Sequence, residues 1–483
     1  MSLHLDRSAS VPPVETDERN PYLLGPYEPV RDERTLRLRV LDGRLPDDLN
    51  GVYVRNGPNP QHHPIGRYHW FDGDGMVHAV HFADGEATYR NRWVRTDGFV
   101  TERDAERAIY QGILEPFAAN PEGREKDTAN TDVLFHRDRL LALWYRSGEP
   151  YALDPVTLET IGKEDFSGSL TGELSAHAKV DEVTGELLFF DYGIHQPHLR
   201  YGVVSPDGVV SHRVGIELPG PRLPHDMAAT EHWSILMDLP LIADRAAAAA
   251  GRHRLVFDRD LPARFGLIPR FGAPQEVRWF EAAPCYIYHS INAWEETGSV
   301  VLDVCRVKQP KPLPADASPL AKMLGYLRLD AHVHRYRFDL HSGRTSEQVL
   351  DDENCEFPSI RLDRMGRRTR YAYNMHISPE KTLLFDGLTK FDTETGQGET
   401  HWFGEGRWGS EAPFAPRPGS TGEDDGYLIS YVHDEREQRS EVQVLDARAL
   451  GEGPVCRLEL PGRVPLGFHA TWIDGARLPG AGA

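Results

Sequence analysis

An all-β fold, with the β-propeller as its leading form, is what this chain of 483 residues predicts, on three observations. Short runs rich in Val, Tyr, Phe and Leu recur along its length. Examples are "GVYVRNG" (51–57), "LLALWY" (140–145), "ELLFFDY" (186–192), "SVVLDVCRV" (299–307) and "GYLISYVHD" (426–434), several of them alternating apolar with polar. Between them stand turn pairs such as "ADGE", "PDGV", "HSGRT" and "ETGQGE", which tolerate the positive φ that tight hairpins require. The third observation is a loose repeat of an apolar residue, an aspartate and a turn. It occurs at Leu153-Asp154, Val180-Asp181, Phe338-Asp339, Phe391-Asp392 and Leu445-Asp446, the last three aspartates being 53 and 54 residues apart. A hairpin recurring near every 50 residues is the spacing of propeller blades. A sandwich or barrel would also make such hairpins and stays open at this point.

Element by element, the first 20 residues read as a flexible N-terminal arm, and 21–483 as one catalytic domain without a low-complexity linker. Helical periodicity is scarce. The alanine-rich "PLIADRAAAAAGRHR" (240–254) is the best candidate, and 102–120 is a weaker one. The formal net charge of -20 argues against a nucleic-acid partner, whose phosphates need a basic face. Four cysteines without CxxC spacing, and a polar start without an apolar core segment, predict a cytoplasmic protein with reduced thiols. No run reaches the roughly 18 apolar residues of a membrane span. Peripheral membrane contact stays open, with Leu239, Leu241, Ile242 and Leu255 and the arginines near them as its candidate surface and an ordinary helix as the competing reading.

Of 22 histidines, four stand out by context. They are His177 in "GELSAHAKVDEV", His225 in "RLPHDMAATEHW", His289 in "CYIYHSINAWEE" and His469 in "LGFHATWI". Each lies at the edge of an apolar strand in a different hairpin unit. Blade ends converge on a propeller's axis, so four distant histidines can meet there. Four neutral imidazoles suit iron, copper, nickel or zinc. The competing reading makes two or three of them ordinary hydrogen-bonded histidines. Ligating imidazoles need an acceptor on the other ring nitrogen. Glu356 in "ENCEFPSI" and Glu411 in "WGSEAPFAPRPG" are the candidates, set among Pro and Phe.

The stretches carrying these residues, with "NGVYVRNGPNP" (50–60), "YHWFDGDGMVHAV" (68–80) and "YRNRWVRT" (89–96), resemble the carotenoid cleavage oxygenase family in order from about residue 20 onward. The resemblance implies a seven-bladed propeller under a dome of helices and loops. It implies one Fe(II) per chain, held by His177, His225, His289 and His469, with Glu356 and Glu411 behind them. The implied reaction splits a carbon–carbon double bond with O2 into two carbonyls. A third glutamate usually follows the strand reading "LLALW", where this chain has Tyr145, so Glu149, water or a backbone carbonyl is left for that role. Thr131 matches a residue near the metal. Phenol-cleaving relatives share a Tyr/Lys pair, and here Ile113 and Trp144 fall at those positions, which favours a polyene over a hydroxystilbene or phenylpropene. A monomer is expected. A calcium-dependent propeller hydrolase and a non-catalytic carotenoid binder are the competing classes.

Overall fold

The computed structural model describes residues 20–243, 255–307, 327, 329–460 and 462–480. Seven antiparallel sheets form the blades of a propeller. Their inner strands, from blade one to blade seven, are Ala470–Asp474, Asp132–His136, Lys179–Val180, Ala228–Ala229, Tyr286–Glu296, Cys355–Ser359 and Phe414–Pro416. Middle strands are buried on both faces, as in Gly51–Arg55 and Leu187–Tyr192, and so read as continuous apolar runs. Rim strands such as Gln397–Trp402 are half exposed and polar. Aromatic pairs fill the seams between blades: Phe265 lies 4.7 Å from Tyr336, and Tyr373 stacks 5.6 Å from Phe414.

The ring is closed twice. Gly51–Arg55 pairs with the last strand, Ala470–Asp474, to complete blade one. Arg39–Gly43 pairs with Pro454–Glu459 on the rim of blade seven. Beginning and end of the described chain are thereby clasped across two neighbouring blades.

The repeating aspartates have a local cause. The Asp339 carboxylate accepts the backbone N–H of His341 and Ser342, both at 2.8 Å. Asp392, Asp154 and Asp181 bind residues two and three positions on in the same way. Each aspartate replaces strand partners that a tight turn removes.

One helical expectation needs correction, and the other is tested only at its start. Leu241–Ala243, the start of the 240–254 stretch, is a strand paired with Leu255–Phe257, and 244–254 lies outside the described residues. Within 102–120 the helix is confined to Asp97–Ala105, capped by Thr96, whose Oγ1 accepts the N–H of Phe99. It stops at Glu106 in the left-handed conformation, and Glu102 turns back to accept the N–H of Ile109 and Tyr110. Leu239 and Leu241 are each 1% exposed, so neither offers apolar surface to a membrane. Among the described residues no helix is long and apolar enough to cross one. The N-terminal arm lies outside the described residues apart from Asn20, whose amide donates to the carbonyl of Tyr68.

Candidate metal centre

Each of the four singled-out histidines stands at or just before its blade's inner strand, so all four emerge at the same end of the propeller. His469 immediately precedes Ala470, His177 and His225 lead into Lys179 and Ala228, and His289 is the fourth residue of its strand. They meet at the axis. The His177 ring lies 4.7 Å from His225, 4.9 Å from His289 and 4.6 Å from His469, centroid to centroid. His289 lies 5.2 Å from His225 and 4.6 Å from His469. Nitrogens of His177, His225 and His289 all fall within 4.8 Å of one another.

The donor set fits a divalent transition ion. The Nε2 atoms of His177 and His289 are buried and have no hydrogen-bond partner. A buried polar atom without a partner is costly, unless it is kept for a ligand. Burial, reinforced by the neighbouring imidazoles, holds His177, His225 and His289 well below the usual histidine range and therefore neutral, the state that binds metal. Burial also acts against charge on His469, but the carboxylates around it, Glu411 first and then Asp132 and Glu356, together outweigh it and raise that group.

The carboxylates fix tautomer and orientation. His289 Nδ1 donates to Glu356, which also accepts the N–H of Phe357 at 2.8 Å. Glu356 is fully buried, and desolvation pushes it well above the usual carboxylate range. His469 Nδ1 donates to Glu411 at 3.2 Å, and the other oxygen of Glu411 accepts the N–H of Ala470. With both Nδ1 atoms so engaged, Nε2 is left to face the centre.

Three further residues complete the scaffold. Asp132, at the head of blade two, accepts the N–H of His177 at 2.9 Å. His177 has φ of 68°, left-handed and unfavourable for a side chain, and this bond holds it there. Asp226 ties two ligand segments together: it accepts the N–H and hydroxyl of Ser290, next to His289, at 2.7 and 2.6 Å. Its other oxygen pairs with Lys179 at 2.7 Å. Phe357 stacks on His469 at 4.6 Å and lies 5.0 Å from His289. Sequence reasoning missed Asp132, although an acid opening the strand in "TANTDVLF" is a visible signal.

Glu149 does not reach the centre. Its exposed carboxylate pairs with Lys163, because the turn after Trp144 carries it outward toward the neighbouring rim strand. Among the described residues the His225 ring has no carboxylate partner. It packs edge-on against Tyr288 at 5.0 Å and beside Tyr145 at 6.3 Å.

On the dome side, where the loops carrying Phe71, Leu329, Leu383 and Phe468 gather, His225, His289 and His469 open into an apolar chamber walled by these residues with Tyr288 and Phe357, and with Thr131 at its edge. Thr131 Oγ1 donates to Asn130 Oδ1 at 3.0 Å. Ile113 and Trp144 line an adjoining hollow with Tyr68 and Tyr110, and Phe71 borders both spaces. Lys126 also faces that hollow, held by Asp74 and Glu102.

Comparison with known proteins agrees with this geometry. A family model described as retinal pigment epithelial membrane protein matches residues 27–474. The carotenoid 9,10(9',10')-cleavage dioxygenase 1 of Pisum sativum is 36% identical over 94% of this chain and 90% of that protein. The isoeugenol monooxygenase of Pseudomonas nitroreducens is 31% identical over 95% of this chain and 98% of that protein. The crystal structure of Pseudomonas brassicacearum lignostilbene dioxygenase superposes with a TM-score of 0.85 at 31% identity, over 95% of this chain and 99% of that one. The chain belongs to the family of retinal pigment epithelial membrane protein, the carotenoid oxygenases.

Proposed function

We propose that this protein is an Fe(II)-dependent dioxygenase that cleaves one C=C bond of a carotenoid or apocarotenoid. The observation that carries the reading is four buried imidazoles converging from four blades, three of them at the floor of an apolar chamber. When bound, Fe(II) supplies the activation of O2 whose two atoms become the two carbonyl oxygens, so no external reductant is required. The chain's own residues do the rest. Glu356, Glu411 and Asp132 lock the imidazoles in place, and Asp226 fixes the distance between the His225 and His289 segments. Phe71, Phe357 and Phe468 keep water from the reacting carbons and give a polyene an apolar bed. Polyene-cleaving and phenylpropene-cleaving relatives both match over most of the chain.

A second reading, cleavage of a hydroxystilbene or phenylpropene, has one observation in its favour: Tyr110 and Lys126 share the hollow next to the chamber. The Lys126 ammonium is committed to two carboxylates, and Ile113 and Trp144 add apolar surface beside it, which favours the polyene. Incubating the Fe(II)-loaded enzyme under 18O2 with β-carotene, apocarotenals, hydroxystilbenes and isoeugenol decides between them. Labelled aldehydes or ketones from the polyenes alone are expected. Products from phenolic substrates alone would overturn the preference, and tight calcium with no iron would point to the hydrolase class.

A further inference from the structure

The histidine cluster has a second face. A cavity of about 170 Å³ runs down the propeller axis away from the dome and ends on His177, His289 and His469. Every blade contributes to its wall: Thr471, Leu134, Lys179, Asp226, Ser290, Pro358 and Glu411, from blades one to seven in turn. A further cavity of about 150 Å³ shares Lys179, Ser290, Pro358 and Thr471 with it and continues past Ala228 and Ala293. Leu362 and Met365 border both. They belong to the loop leaving the inner strand Cys355–Ser359, at the end opposite the histidines.

The two faces differ in kind. The apolar chamber has only about 30 Å³ of free space, and its wall offers an aqua ion almost nothing to replace its waters. Stripping a divalent cation of water against such a wall is prohibitive. The axial passage is wider, and nearly half of its wall is polar. Asp132, Asp226 and Glu411 present carboxylates to it, and its single ammonium, Lys179, is paired with Asp226. At its inner end wait the unpartnered Nε2 atoms of His177 and His289.

We propose that the propeller axis is the route by which the divalent ion reaches and leaves the four histidines, while the dome-side chamber serves the apolar substrate. The inference rests on the reading that these histidines hold such an ion. Plugging the passage tests it, using Thr471→Trp at mid-channel and Leu362→Trp at its outer end, with Leu329→Trp in the apolar chamber as the opposite control. Leu362 lies in a partly exposed loop, so its variant folds even where Thr471→Trp does not, which circular dichroism checks.

Uptake of Co2+ and Fe2+ by the metal-stripped full chain, and chelator extraction from the loaded protein, are followed by absorbance. Both axial variants should slow uptake and extraction by about tenfold or more, with the same equilibrium affinity and unchanged turnover once loaded. Leu329→Trp should lose polyene turnover and keep the loading rate. Axial variants that load at the wild-type rate, or slowed loading in Leu329→Trp alone, would overturn the route. A wild-type chain that takes up neither ion would instead refute the reading of the centre itself.

Discussion

At the scale of the residue, His225 offers the cleanest test of the ion site. It stands in a loop ahead of Ala228–Ala229 and packs on Tyr288 and Tyr145. His225→Ala should therefore lose bound iron and turnover while its circular dichroism stays that of the parent, and an iron-loaded, active variant would refute the ligand role. Glu411→Gln keeps the shape but removes the charge that faces His469 and Ala470. Iron retention in chelator competition should fall by about 10- to 100-fold. Asp127 gives a pH test away from the ligands. Burial pushes its carboxyl up to about 7, against the backbone donors of Ala129 and Glu149. The folded state then holds a proton that the unfolded chain releases near pH 4, so this group's stabilisation is full in acid and is lost as pH rises toward 7. Asp127→Asn should flatten that decline in melting temperature between pH 4 and 7, and an unchanged slope would refute the assignment. The histidines and Glu356 were legible because each stands in or beside an apolar strand-like run, as a group that burial would otherwise penalise. Asp132 carried a weaker signal, an acid opening a strand, because its role depends on the left-handed backbone of His177, 45 residues away in the chain.

At the scale of the element, hairpins were readable because their cause is local. An aspartate that accepts the next turn's N–H groups leaves its mark within four residues. Asp446 does this for Arg448 and also binds Arg417 at 2.8 Å. Asp446→Ala should cost about 1–2 kcal/mol in denaturant unfolding, and a loss within error would show the turn to be set by the strands alone. The helices misled for the opposite reason. After Ala105 the chain is shaped by Glu102, whose carboxylate collects Ile109, Tyr110 and Lys126, and such a long-range hub leaves no periodic signature. Leu241–Ala243 became a strand because a partner, Leu255–Phe257, lies beyond the alanine run. The alanine run that carried the helical propensity lies outside the described residues.

At the scale of the whole molecule, blade number was not legible from spacing, because the blades are unequal. His177 and His225 are 48 residues apart, whereas His225 and His289 are 64 apart, and the strand pair Leu241–Ala243 and Leu255–Phe257 is inserted in that interval. Closure of the ring depends on the pairing of Gly51–Arg55 with Ala470–Asp474, in which Ile473 is fully buried. Ile473→Ala should cost about 2–5 kcal/mol and shorten the half-life of the folded state at elevated temperature. Wild-type kinetic stability in that variant would mean that the rim pairing of Arg39–Gly43 suffices. The clasp also sets an order of events during synthesis. His469 is the last of the four histidines to leave the ribosome, and it reaches the axis only when its strand docks beside Gly51–Arg55. An unfinished or truncated chain can present three imidazoles but cannot complete the set, so the four-histidine arrangement exists only once the ring has closed.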